Sequence, residues 1–211
     1  MIITVFGASG AIGQFVVRQA LAQGYSVRAY VRNPAKLAAR HSNLQIIKGE
    51  LNDYESIHAA VSGSDAVLST LGAPLKFTYE GTPVLDGHLN NIKAMEAENI
   101  KRFVTLGTPS IRFNKDKAST LTIVPRIVAG VLFPKAKKEI RAVGRALIVS
   151  SLDWTLVRIL APQDSPFTGV TKISFGDNKI SFGISREDIA AFMLRQVSDS
   201  TYVHSMPIIG S

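Results

Sequence analysis

The chain has 211 residues, 46% of them hydrophobic and 19% charged, with no cysteine. That length suits one domain with a sizeable core, and the composition excludes a disordered chain, a disulfide framework, a thiolate nucleophile and a zinc–thiolate site. The formal charge is +8, and nine basic residues opposed only by Asp116 and Glu139 lie between Arg112 and Arg145, a stretch suited to an anionic ligand or surface.

In chain order, β-rich runs are expected at Ile2–Phe6, Ser26–Val31, Leu44–Lys48, Ala66–Ser69, Arg102–Leu106 and Trp154–Arg158. Helical patterns lie between them near 11–23, 34–40, 53–61, 84–98 and 135–150. In the first helix Ile12, Val16 and Ala20 recur at helical spacing, Val17 and Leu21 widen the apolar face, and Gly24 closes it. Pro34 opens the next at its first turn.

Strands alternating with helices of this length predict βαβ crossovers, hence an α/β, Rossmann-like doubly wound parallel sheet with helices on both faces. The near-continuous apolar run "IITVF" fits a central strand. Toward the end, "VTKISF" and "KISF" flank the turn cluster "GDN", which predicts a hairpin or two short strands. "SREDIAAFMLRQV" predicts a helix with Ser185 and Asp188 in a capping box and Ile189, Phe192, Met193 and Val197 on one face. Residues 1–211 are expected to form one domain, with 160–211 a small substrate-side lobe over the carboxyl edge of the sheet.

Ile2–Phe6 is too short for a signal-peptide core and lacks a basic leader, and no apolar run reaches about 18 residues. A cytoplasmic protein with no membrane span is the expectation.

Between the first strand and first helix stands "VFGASGAIGQ". Gly7 permits a tight turn, Gly10 lets bare backbone approach a pyrophosphate, and Gly13 lets the helix pack on the strand. The helix N-terminus then faces the phosphates. Dinucleotide sites that prefer NAD carry Asp or Glu after the second strand. Here "AYVRNPAKL" places Arg32, Asn33 and Lys36 there. A guanidinium can bind a 2′-phosphate bidentately, so NADP(H) is the expected cofactor.

These residues resemble the short-chain dehydrogenase/reductase superfamily, in its atypical NAD(P)-binding, NmrA-like branch. Within it the chain is similar to biliverdin-IXβ/flavin reductases and bacterial NAD(P)H-flavin reductases, through "VFGASGAIG", "YVRNP", "GELND", "LSTLGA", "FVTLGT", "SSLDWTLVRI", "DSPFTG" and "ISREDIAAFMLR". The resemblance implies that Gly7 to Gly13 hold the pyrophosphate, with Ser9, Ala11 and Ile12 in the turn, and that Arg32 binds the 2′-phosphate. It sets Glu50 and Leu51 beside the adenine, and Leu71 and Gly72 near the pyrophosphate and ribose. Thr105 to Thr108 fall near the nicotinamide, and Ala161 and Pro162 at the edge of its pocket. Thr108 aligns with an active-site serine of the biliverdin/flavin reductases, and Ser110 is close by; both are candidate substrate-orienting hydroxyls.

The superfamily's usual proton donor, a tyrosine followed four residues later by lysine, is missing after each of Tyr25, Tyr30, Tyr54, Tyr79 and Tyr202. A carbonyl reductase needs a positioned acid, whereas a conjugated acceptor delocalises the incoming charge. The expectation is an NADPH-dependent oxidoreductase that passes hydride to a flavin-like or other conjugated acceptor, its partner being a small anionic or conjugated molecule. The alternative is a non-catalytic NADP-binding redox sensor of the NmrA-like kind.

Among the remaining features, "LTIVPRIVAGVLF" at 121–133 reads as a substrate lid, a subunit contact or a surface membrane contact. Lys135, Lys137 and Lys138 are candidates to replace the missing lysine, or a solvated helix face. His41, His58, His88 and His204 lack metal-ligand spacing and read as surface or cap residues. Asp164 can order a loop, and Trp154 reads as strand packing. No nucleic-acid module is evident and none is expected as a partner; a monomer or homodimer is.

Overall fold

The computed structural model describes all residues from Met1 to Ser211. Ten strands and six α-helices follow in the order β1 (Ile2–Phe6), α1 (Gly13–Ala22), β2 (Ser26–Val31), β3 (Leu44–Lys48), α2 (Tyr54–Val61), β4 (Ala66–Ser69), α3 (Pro83–Ala97), β5 (Arg102–Gly107), α4 (Thr120–Leu132), α5 (Pro134–Val149), β6 (Asp153–Arg158), β7 (Ala161–Gln163), β8 (Lys172–Ser174), β9 (Gly183–Ser185), α6 (Arg186–Arg195) and β10 (Ile208–Gly210). The main sheet runs β3-β2-β1-β4-β5-β6-β10-β8, parallel except where β8 meets β10. This is the doubly wound arrangement expected, with its topological switch between β1 and β4.

Strand alternation divides the core between the two faces. Ile3 and Val5 of β1 join Val16, Val17 and Ala20 of α1 and Ile189, Phe192 and Met193 of α6. Phe6 joins Ile57 of α2, Met95 of α3 and Leu147 of α5. Thr4, also on the second face, is fully buried and donates to the Ala60 carbonyl at 2.8 Å.

Two expectations need correction. The helix expected over 34–40 is a single 3-10 turn at Pro34–Lys36: Asn33 caps it, but Leu37 is drawn extended and fully buried into the α1 face. The "VTKISF…KISF" hairpin does not form. The Asp177 carboxylate accepts from the backbone N–H of Phe175 and Asn178, and beyond that turn Ser181 pairs with Ser211 rather than with β8. β8 pairs instead with β10, which the sequence did not signal. Within residues 160–211, β8 and β10 extend the sheet, α6 packs on α1, and β7 with β9 makes a separate two-stranded sheet. The apolar run at 121–133 folds as α4, with Pro125 inside the helix.

Candidate functional site

Two cavities open at the carboxyl ends of the parallel strands and share Leu71 and Gly72, just after β4. The larger is a polar cleft of about 820 Å³. On one side it is walled by the turn after β1, through Gly7, Ser9 and Gly10, and by Arg32, Asn33 and Lys36 after β2. Glu50 and Leu51 follow β3, and the loop entering α3, from Glu80 to Val84, closes the far wall.

The glycine turn explains its own composition. Gly7 has φ +75°, and a Cβ there would stand 2.7 Å from Thr70 Oγ1. At Gly13 a Cβ would meet the Gly7 carbonyl oxygen at 2.1 Å, so α1 reaches the strand only without a side chain. A Cβ on Gly10 would touch only the Gly7 oxygen, at 3.1 Å, and the residue's exposed backbone lines the cleft. No side chain caps α1; the Gln14 N–H donates to the Gly10 carbonyl at 3.1 Å, and the remaining first-turn N–H groups are available to an anion. A pyrophosphate fits this bare turn, and the Arg32 and Lys36 cations lie in the same cleft.

Gly49 and Tyr30 belong to this wall, although sequence reasoning passed over them. A Cβ on Gly49 would overlap the Tyr30 hydroxyl at 2.1 Å, so "GELND" carries its glycine to admit that ring. Tyr30 donates to the Glu50 carbonyl at 2.9 Å. Burial pushes its pKa up to about 12, and the charges of Asp53 and Glu50 reinforce the shift.

The second cavity, about 280 Å³, is largely apolar. Ile12, Leu106, Ile140, Ile159 and Pro162 line it, together with Ala129 of α4 and Phe133. Its polar groups are few. Thr108 Oγ1 and Ser110 Oγ lie 2.6 Å apart, and Ser110 is buried. Of the three candidate lysines only Lys137 lines this cavity, its ammonium donating to the Arg126 carbonyl at 2.9 Å. Lys135 lies over the Tyr79 ring at 4.7 Å, but the Tyr79 hydroxyl is taken by Glu139 and lines neither cavity.

Four residues named from the sequence stand outside these walls. Ala11 and Ala161 line neither cavity, and Gly13 is buried where α1 meets the strand. Thr105 is fully buried beneath the site and bonded to His88 Nε2 at 2.8 Å. His88 itself, expected at the surface, is fully buried. Its Nδ1 lies 2.6 Å from the Val84 carbonyl oxygen, and burial lowers its pKa to about 4. The other three histidines are at least partly exposed: His58 pairs with Glu98 at 2.8 Å, and His204 lies 2.9 Å from the Leu152 carbonyl.

Glu139, counted from sequence as an acid opposing the basic stretch, is a buried structural carboxylate. It accepts from the Val84 N–H at 2.7 Å, the Leu85 N–H at 3.0 Å and the Tyr79 hydroxyl. It thereby caps α3 from α5 and ties down the outer wall of the polar cleft. Asp116 is likewise occupied, by the fully buried Arg158 guanidinium at 2.6 and 2.8 Å.

Residues 7–200 match the NAD(P)H-binding family. Among curated proteins, the chain is 29% identical to a phenylcoumaran benzylic ether reductase from Ginkgo biloba, the match covering 93% of this chain and 65% of that one. It is 27% identical to the photosystem II assembly factor Ycf39 of Synechocystis, covering 100% and 63%. The chain thus spans less than two thirds of the length of these relatives. Among solved structures, ChuY, an anaerobillin reductase from Escherichia coli O157:H7, superposes with a TM-score of 0.79 at 19% identity, covering 100% of this chain and 97% of that one. A short-chain dehydrogenase/reductase from Veillonella parvula, solved with NADP, superposes with a TM-score of 0.76 at 18% identity, covering 100% and 94%. No helix is long and apolar enough to cross a membrane, and no cluster of three or more His, Asp or Glu side chains is arranged to hold a metal. The chain belongs to the NAD(P)H-binding family.

Proposed function

We propose that the protein is an NADPH-dependent oxidoreductase whose acceptor is a flavin-like or other conjugated molecule seated in the apolar cavity. One observation carries this reading: a polar cleft built on a glycine turn and an apolar cavity carrying two hydroxyls meet at Leu71 and Gly72. Relatives named as reductases support the reaction class.

A nicotinamide cofactor, when bound, supplies a hydride. The turn from Gly7 to Gly13 holds the diphosphate, and Arg32 with Lys36 distinguishes a 2′-phosphate from a hydroxyl. The apolar walls exclude water from the reacting face. Of the paired hydroxyls, Ser110 is buried and Thr108 exposed. Ser110 donating to Thr108 leaves the Thr108 hydrogen free to bond an acceptor oxygen or nitrogen, orienting the ring and lending a proton that solvent replaces. Lys137 places a cation at the rim of the cavity, suited to an anionic substituent. The acceptor gains one hydride and one proton, so the proton donor can be weak because the ring system spreads the charge.

The test follows NADPH oxidation with FMN, FAD, riboflavin, biliverdin and simple quinones in turn. Saturable turnover with at least one is expected. Combining Thr108→Val with Ser110→Ala should lower kcat by about a hundredfold and leave NADPH affinity unchanged. Saturable NADPH binding with no turnover on any acceptor would overturn this reading in favour of a non-catalytic binding protein, the kind suggested by a relative named as an assembly factor.

A further inference from the structure

Helix α4 inverts the usual arrangement of a surface helix, which turns its apolar stripe inward. Ile123, Val124, Ile127, Val128, Val131 and Leu132 are all exposed, Ile127 by 60% and Val131 by 67%. They form two adjacent rows at a spacing of four, hence one outward face, while only Leu121 and Thr122 of the helix are buried. A contiguous exposed aliphatic face of this kind marks a contact surface.

The same face is bordered by cations. On one flank Ile123 and Ile127 share a groove with Arg112, Lys117 and Arg126. Further along that flank, Gly130, four residues after Arg126, lines a groove with Lys137, Lys138, Arg141 and Arg145, which has no hydrophobic lining residue. No carboxylate lies within 4.0 Å of any of these basic side chains. The two acids of the stretch are already engaged, Asp116 by Arg158 and Glu139 by α3.

We propose that α4 and its flanking cations form a docking surface for an anionic lipid bilayer, with the helix lying in the plane of the interface. Anionic headgroups satisfy the cations while the acyl boundary receives the aliphatic face. A second copy of the chain fits less well, because a two-fold contact would set one unpaired cationic border against another. Nucleic acid would satisfy the cations but leave six aliphatic side chains in water. At 13 residues α4 lies on a bilayer rather than across it, since a span needs about 20 residues. On its inner side Ala129 lines the apolar cavity. If the acceptor reading above holds, docking brings that cavity beside the lipid; the docking proposal itself does not depend on it.

Flotation of the full-length protein with vesicles tests this without any turnover. Phosphatidylcholine–phosphatidylserine vesicles should carry the protein, phosphatidylcholine alone should not, and raised salt should release it. Lys138→Gln with Arg141→Gln should lower the partition coefficient by about 30-fold, from roughly fivefold per cation near an anionic surface. Ile127→Asp with Val131→Asp should abolish flotation, and unchanged thermal unfolding would show that these exposed changes leave the fold intact. No flotation with phosphatidylserine at low salt would overturn the proposal. So would flotation indifferent to the aspartates, a stable dimer that the aspartates dissolve, or tighter retention on single-stranded DNA than on vesicles.

Discussion

Acidification tests the buried His88 network, and its sign follows from geometry. Nδ1 lies 2.6 Å from the Val84 carbonyl, which only accepts, so Nδ1 carries the ring hydrogen and Nε2 accepts from Thr105 at 2.8 Å. Burial disfavours the imidazolium and moves the pKa from an ordinary 6.5 to about 4, opposed by the Val84 bond and the Glu139 charge. Between those values the unfolded chain binds a proton that the folded chain refuses, so stability falls as pH falls, by up to about 1.4 kcal/mol per pH unit. From pH 7 to pH 5 the His88 contribution is a loss of about 2 kcal/mol. The assay is urea unfolding at both pH values for the wild type and for His88→Gln, whose amide can donate to Val84 and accept from Thr105 without titrating. The variant should lose about 2 kcal/mol less than the wild type on acidification. Equal losses in the two proteins would refute the assignment of a buried neutral imidazole.

Three further outcomes are expected. Arg32→Ala should weaken NADPH by about tenfold to 150-fold, the worth of a charge-assisted bond, and leave NADH nearly unchanged; titrations of both nucleotides check this. Gly13→Ala drives a methyl to within 2.1 Å of the Gly7 oxygen, and should cost about 3 kcal/mol. That loss would appear as a melting temperature lower by roughly 6–12 °C. Glu139→Ala leaves the N–H groups of Val84 and Leu85 without their carboxylate, and should lower stability by about 2–4 kcal/mol in chemical denaturation. It should also weaken dinucleotide binding by loosening the outer wall of the cleft.

The parallel sheet was legible because local pattern and tertiary role agree there: Ile2–Phe6 is apolar but for Thr4 and lies between β2 and β4. The glycine turn was legible for a similar reason, since Gly7 and Gly13 are demanded by backbone approach rather than by distant partners. What escaped depends on such partners. Nothing near Glu139 in sequence announces that its carboxylate caps a helix beginning at Pro83, or that Asp116 belongs to Arg158. His88 looked like any surface histidine until α3 turned it toward Thr105 on β5. β8 and β10 are three residues each, too short for a periodic signal, and after β8 the chain turns at Asp177. Helix α4 was obscured by Pro125 and by an apolar face directed outward, which an amphipathic reading assigns to the core.

The central claim is that the turn from Gly7 to Gly13 receives a dinucleotide diphosphate while Arg32 reads an additional phosphate. Isothermal titration of the folded protein with NADPH and with NADH measures this most directly. Saturable one-to-one uptake, tighter for NADPH, is the expected result; no heat of binding with either nucleotide would contradict the claim.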